Sequence, residues 1–216
     1  IRMPNCYQCN DNTKEISKET ICRSDFNLPK KGFVFTCFCA NKKITPSEFD
    51  IWMSLLKKID GSVLWLYQSN KYSAENLIKE AEKRNVDGDR LVFAKKLSLE
   101  KHLARHALGD LALDTFNYNG HTTTSDALWA GLPVLTKIGK SFAARVSASI
   151  LTAIGLPELI TYSKKEYEEK ALNIARYPDK IRNLKTKLAK SRETSSLFKT
   201  ELWTRDLESK FIELMK

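Results

Sequence analysis

The chain has 216 residues, 42% of them hydrophobic, enough for one large domain with a real core or for one domain with an extension. No apolar run reaches the roughly 18 residues of a membrane span, and the first eight residues lack the charged-then-apolar layout of a signal peptide. Thirty-six basic against 26 acidic residues give a formal charge of +10, which suits phosphate-bearing partners, while five cysteines, odd in number and crowded near one end, argue against a disulfide scaffold.

The first thirty residues are polar and poorly periodic, with the character of a linker. Cys6 and Cys9 have zinc-knuckle or redox-pair spacing, but Cys37 and Cys39 are one residue apart and supply no second ligand pair. Reduced structural thiols, no bound metal and a cytoplasmic setting are expected. Ile1 in place of an initiator methionine suggests a piece of a longer protein.

Residues 33–38 (FVFTCF) read as a buried strand. Pro46, Ser47 and Glu48 open a helix to about residue 59, with Phe49, Trp52, Leu55 and Leu56 as its apolar stripe. Residues 62–67 form a second strand, 74–84 a polar helix and 91–94 a third strand. A short helix over 99–107 carries His102 and Arg105 three apart on one face. Residues 111–114 form a fourth strand, 133–136 a fifth, 141–153 a helix and 159–160 a very short sixth strand. Apolar strands alternating with helices indicate an α/β fold, a Rossmann-like parallel sheet with helices on both faces. Three lysine-rich helices over 163–176, 178–192 and 200–216 follow. The expected organisation is a linker over 1–30, a Rossmann-like domain over 31–162 and a C-terminal helical extension over 163–216 that packs on it.

The segment 111–134 (LALDTFNYNGHTTTSDALWAGLPV) is the most informative. Asn117 to Gly120 is turn chemistry, Thr122, Thr123, Thr124 and Ser125 are N-cap candidates, and Asp126 is expected in the first turn of a helix that Gly131 and Pro133 end. A helix start just past a strand aims unpaired N–H groups and the positive end of the helix dipole at an anion, most often phosphate. His121 is read as a phosphate contact rather than a turn residue. In such sheets ligands gather at the strands' carboxyl ends, which brings together residues 40–45, 94–98 and 115–124. Lys42 and Lys43 end the first of these loops, where a lysine can neutralise charge on a leaving phosphate. Asp87-Gly88-Asp89 has the look of a metal motif but sits in a helix-to-strand turn, at the opposite end of the sheet, and is read as turn chemistry. The nucleophile elbow, the dinucleotide fingerprint and the Walker A loop are absent. The basic tail carries no RNA-reading motif and reads as solvated helix faces, so nucleic acid ranks last among partners.

NGHTTTSDALWAGLPVLT, then SFAARVSASILTAIGLPELI, with PSEFDIWMSLLKKIDGSVLWL upstream, resembles the C-terminal catalytic lobe of the O-GlcNAc transferase family, which includes SPINDLY-like proteins and bacterial relatives with tetratricopeptide repeats. The resemblance runs from about Phe33 to the C-terminus, with a weaker trace over residues 3–11. It implies a GT-B glycosyltransferase whose donor lobe is this chain, with the N-terminal lobe and repeats elsewhere in the same polypeptide. It implies metal-independent, inverting transfer of a sugar, UDP-GlcNAc being the first candidate donor, to serine or threonine of a protein acceptor. Position by position, Lys43 matches the lysine on the donor's diphosphate; Gly120, His121, Thr122 and Thr123 match the diphosphate-holding segment; Asp126 matches a ribose-binding carboxylate; His102 and Arg105 match the nucleotide pocket. Ala40 and Leu99 replace a glutamine and a lysine of the animal enzymes, which brings in GDP-fucose and UDP-hexose as rival donors. A non-catalytic nucleotide-sugar-binding or scaffolding module is the alternative.

Overall fold

A computed structural model describes all 216 residues. Six parallel strands form one sheet: β1 (Val34–Cys37), β2 (Val63–Tyr67), β3 (Leu91–Ala94), β4 (Leu111–Leu113), β5 (Val134–Lys137) and β6 (Ile160–Thr161), in the order β3-β2-β1-β4-β5-β6. The chain builds outward from β1 in one direction, then crosses back to place β4 on β1's other side. This reversal makes the β1/β4 junction a topological switch point, where a crevice opens beyond the strand ends.

The helices cover both faces, as the apolar strands require. α1 (Pro46–Lys58) and α6 (Lys164–Arg176) pack together on one face, where α2 (Lys71–Glu82) also connects β2 to β3. α3 (Leu99–Arg105), α4 (Thr122–Trp129) and α5 (Val146–Ala153) line up on the other. α7 (Pro178–Thr194) packs on α6 and α4, and α8 (Thr200–Leu214) follows. The core between the layers includes Phe35, Leu64, Leu66, Leu111 and Leu135 of the sheet with Trp52, Leu55, Leu128, Ile150 and Tyr167 of the helices. α1 starts at Pro46, which has no N–H to leave unpaired, just after Thr45, whose N–H donates to Glu48 Oε1 at 3.0 Å.

Several boundaries differ from the periodicity for local reasons. α2 begins at Lys71 rather than residue 74, because the Asn70 side chain accepts from the Ser73 N–H and caps it earlier. α5 begins only at Val146; residues 141–145 are turned by the Ala144 N–H to Ser141 O bond and by Gly139 donating to Ala144 O. α4 ends where expected, at Gly131 with φ +83°.

The first thirty residues hold almost no regular structure, as their composition suggests, yet they are not detached. Cys6 is buried in the main core and Asn10 is buried under α4. Asn10 Nδ2 donates to Leu197 O, Ser125 Oγ donates to Asn10 Oδ1, Trp129 Nε1 donates to Lys14 O and Trp203 Nε1 donates to Cys6 O. Residues 1–17 form a strap that ties α4, the α7–α8 turn and α8 together. Asn10→Ala leaves the Ser125 hydroxyl and the Leu197 carbonyl buried without partners, and about 1–3 kcal/mol of stability should be lost in urea unfolding. An unchanged midpoint would mean that the strap folds independently of the sheet.

Candidate functional site

The chain beyond β1 turns through a 3-10 segment, Asn41–Lys43, which ends on Lys43. Lys43 Nζ donates to Asn119 O at 3.0 Å and lies 3.9 Å above the centre of the Tyr118 ring. A lysine from the β1 loop therefore rests on the loop that follows β4, across the switch point.

That second loop leads into α4, whose N-cap is His121 and not one of the threonines or serine suggested by the sequence. No side chain caps the helix, and the N–H groups of Thr122, Thr123 and Thr124 have no partner in the chain. An uncapped helix start is a receptor for negative charge. Gly120 contributes differently from expectation. Its N–H is already taken by Asp114 Oδ1 at 2.7 Å, so it is not free for a ligand. What the position needs is the missing side chain, because a Cβ there would lie 2.4 Å from Thr124 Oγ1 and 2.7 Å from Thr123 Oγ1.

His121 sits among aromatic rings. Tyr7 Oη of the strap lies 3.0 Å from its Nδ1, with Tyr118 and Phe142 edge-on to its ring. Burial and the neighbouring Lys43 ammonium hold its pKa below the ordinary histidine value, so near neutral pH it acts as a hydrogen-bonding group and not a cation. Thr123 Oγ1 lies 3.4 Å from Cys39 Sγ.

Asp126 is in the second turn of α4, not the first, because the helix starts at Thr122. Its Oδ1 accepts from Lys14 Nζ at 2.6 Å, so the carboxylate is largely covered and electrically offset by the strap.

His102 and Arg105 share a face of α3, as their spacing predicts. With Phe38, Ala40, Tyr67, Lys96 and Leu99 they line an open pocket of about 310 Å³ beside the β1 end. Arg105 is buried: Nη1 donates to Lys95 O at 2.7 Å, Nη2 donates to His102 Nδ1, and the guanidinium lies over Phe38. Burial lowers its pKa to about 10. Most of its bonding is therefore internal, holding the end of β3 and the His102 ring in place. Burial first, then the neighbouring His106 and Arg105, push His102 down to about 3; burial pushes His106 down to about 4. His106 Nδ1 donates to the His102 carbonyl at 2.8 Å.

Asp87 caps the Asp89 N–H in a 3-10 turn that leads into β3, at the amino ends of the strands. The five cysteines are free thiols, and no three or more His, Cys, Asp or Glu side chains cluster as a metal site. No local sequence signal marks Tyr7 or Tyr118 as neighbours of His121; Asp114 carries one, as an acidic residue closing an apolar strand at the expected ligand edge.

Known proteins share both the sequence and this architecture. The model of glycosyl transferase family 41 matches residues 6–207. A probable UDP-N-acetylglucosamine–peptide N-acetylglucosaminyltransferase SEC of Arabidopsis thaliana is 34% identical over 99% of the chain and 22% of its own length. A UDP-N-acetylglucosamine–peptide N-acetylglucosaminyltransferase of Caenorhabditis elegans is 34% identical over 90% of the chain and 17% of its own length. The chain thus spans about a fifth of these relatives. A Thermobaculum terrenum O-GlcNAc transferase structure superposes with TM-score 0.85 at 28% identity, over 98% of the chain and 40% of its own. WaaG, a glycosyltransferase of lipopolysaccharide biosynthesis, shares the fold at TM-score 0.66 and 17% identity, over 95% of the chain and 55% of its own. The sheet is therefore the Rossmann-like lobe of a GT-B architecture.

Two outcomes follow from the geometry. Gly120→Ala forces Thr124 Oγ1 off its bond to Ser147 Oγ, and about 1–3 kcal/mol should be lost in thermal or urea unfolding. His102 and His106 have folded pKa values below the unfolded value of about 6.5, so the unfolded chain binds protons first on acidification. The stability they sustain is complete above pH about 6.5 and falls as the pH drops toward 4 and then 3. Urea midpoints should decline across that window, and His106→Asn should make the decline shallower; an unaltered slope in the variant would exclude His106 as its source.

Proposed function

The chain belongs to glycosyl transferase family 41, and from that premise we propose that it is the donor-binding lobe of a metal-independent, inverting glycosyltransferase. The sugar transferred is GlcNAc from UDP-GlcNAc, and the acceptor is a serine or threonine hydroxyl of a protein. The observation that carries this reading is the bare start of α4, three N–H groups without partners, facing the same loop as the Lys43 ammonium.

In glycosyl transfer from a sugar nucleotide, the bond from the anomeric carbon to the diphosphate oxygen breaks, and negative charge builds on the leaving diphosphate. Lys43, the Thr122 and Thr123 N–H and hydroxyl groups, and the dipole of α4 supply fixed positive charge there. They do so before the reaction begins, so little reorganisation is needed as charge develops. In this reading Lys43 is catalytic, and His121 hydrogen-bonds the same diphosphate from a neutral ring. Nucleoside and base extend into the pocket of His102, Leu99 and Ala40, with Arg105 holding that wall. In this reading Asp126, paired with Lys14 through Oδ1, is the carboxylate for the ribose. The names of the two 34%-identical relatives give UDP-GlcNAc as donor and peptide as acceptor. The acceptor hydroxyl and its base belong to a second lobe facing this one.

Ala40 and Leu99 give the pocket apolar walls, so the nucleotide it prefers is a direct test. Calorimetric titration with UDP and with GDP should show weak binding, stronger for UDP. Lys43→Ala should weaken UDP binding about tenfold or more, the scale of a lost charge-assisted hydrogen bond. Tighter binding of GDP would move the donor toward GDP-fucose. Binding of neither nucleotide, or binding indifferent to Lys43, would reject the site.

A further inference from the structure

Asp114 follows the last residue of β4, and its side chain is wholly buried beneath the loop just described. Oδ1 accepts from the Thr115 N–H at 2.9 Å and from the Gly120 N–H at 2.7 Å. Oδ2 accepts from Thr136 Oγ1 of β5 at 2.6 Å. One carboxylate thus joins the first and last residues of the 115–120 loop to each other and to the next strand.

Everything that meets the anion hangs from that loop. It carries Asn119 O, which holds the Lys43 ammonium, and Tyr118, on whose face the ammonium rests. It runs directly into His121 and the unpartnered N–H groups of α4. Ser147 of α5 braces the same corner, donating to Gly120 O and pairing with Thr124 Oγ1, each at 2.8 Å. The other bonds within the loop, Asn119 Nδ2 to Thr115 O and Thr115 Oγ1 to Tyr118 O, are between neutral groups. Among the bonds that tie the loop to itself and to β5, only those to Asp114 can be charge-assisted, and such bonds are roughly twice as strong as neutral ones.

We propose that Asp114 is a positioning residue for the donor diphosphate: its ionised carboxylate holds the 115–120 loop so that Lys43 and the start of α4 converge on one phosphate. The proposal rests on the reading of that place as a diphosphate site and names the group that builds it. Burial raises Asp114 to about 6, while bonds from Thr136 and Gly120 pull the other way. The grip therefore weakens in mild acid, as a proton turns charge-assisted bonds into neutral ones. The titratable neighbours are Cys37 and Cys39 on the β1 side, Tyr167 of α6, whose phenol donates to Asp114 O, and Glu48 of α1 behind it. Lys43 and His121 lie at the rim. His121 is held below its ordinary value, so its titration and that of UDP itself are common to wild type and variant and cancel in their ratio.

The test is UDP affinity by calorimetry on the whole chain, in reducing buffer, from about pH 8 to pH 5, for wild type and Asp114→Asn. At pH 8 the variant should bind about tenfold more weakly. The ratio should shrink toward one as the pH falls through about 6, because wild type then loses the same charge. A residue that only supports the fold would give a ratio independent of pH. Thr136→Val, which leaves the loop's own bonds intact, should move the inflection in wild-type-like binding to higher pH by removing one donor from the carboxylate. It also carries the test if Asp114→Asn does not fold. A flat ratio, equal or tighter binding by Asp114→Asn at pH 8, or an inflection unmoved by Thr136→Val would overturn the proposal. If UDP binding still depends on Lys43 in any of those cases, only the role of Asp114 fails; if wild type binds no UDP, the diphosphate reading fails with it.

Discussion

The structure depends on one topological constraint, the reversal of strand order between β1 and β4. Side-by-side parallel strands joined by right-handed crossovers leave a gap at that junction, because the helices after the two strands lie on opposite faces. The loop after β1 and the loop after β4 therefore face each other with no helix between them. Lys43 reaches Asn119 across this gap, 76 residues apart in sequence and 3.0 Å apart in space. Short strands suffice, since β4 needs only three residues to bring Asp114 to the edge. A one-residue slip of β4 against β1 would turn its buried side chains to the opposite face. The register of Phe35 against Leu111 is therefore as much a determinant of the site as any polar residue.

A second constraint is the satisfaction of buried polar groups. The site loop is irregular backbone at the edge of a core, where unpaired groups are costly. Asp114, Thr115, Asn119, Thr136 and Ser147 are all buried, and together they bond the loop's N–H and carbonyl groups. What they leave bare is the start of α4. The free N–H groups of Thr122 to Thr124, with the buried Asn119 Oδ1 and His121 Nε2 that also lack partners, are the bonding capacity left open at this corner.

Much of this was legible in the sequence because the signals were local. The apolar runs located all six strands, Pro46 and Glu48 marked α1, and Gly131 marked the end of α4. The family resemblance agreed with the family match. What escaped were features set by distant residues. Hydroxyls at 122–125 look like caps, yet the hydroxyl of Ser125 is spent on Asn10 and that of Thr124 on Ser147, so His121 became the cap. Gly120 reads as turn chemistry, but nothing local shows that its N–H is bonded by Asp114, six residues back. The polar first thirty residues looked like a free linker because their partners, Ser125, Leu197 and Trp203, lie more than a hundred residues away. Periodicity carries no information about such pairings.

The charge balance of the site differs from that of the chain. A formal charge of +10 invites a picture of a broadly basic anion trap. Yet many of the tail's lysines lie on exposed helix faces, several paired with glutamates as in Lys165–Glu169, Lys170–Glu166 and Lys187–Glu158. At the loop after β4 the contacting cation is Lys43, and the His121 beside it is held below the ordinary histidine pKa. Two carboxylates lie close by, and each is quieted by its own means: Asp126 by the Lys14 ion pair, Asp114 by three hydrogen bonds. Without its hydrogen bonds Asp114 would shift toward its neutral form, whereas Asp126 without Lys14 would keep an uncompensated charge. Because these groups are largely buried, salt screens them far less than it screens the tail. On the proposed reading, selectivity for a diphosphate would come from where a few dipoles and one ammonium point, and the strap that brings Lys14 to Asp126 and Tyr7 to His121 would be part of that machinery.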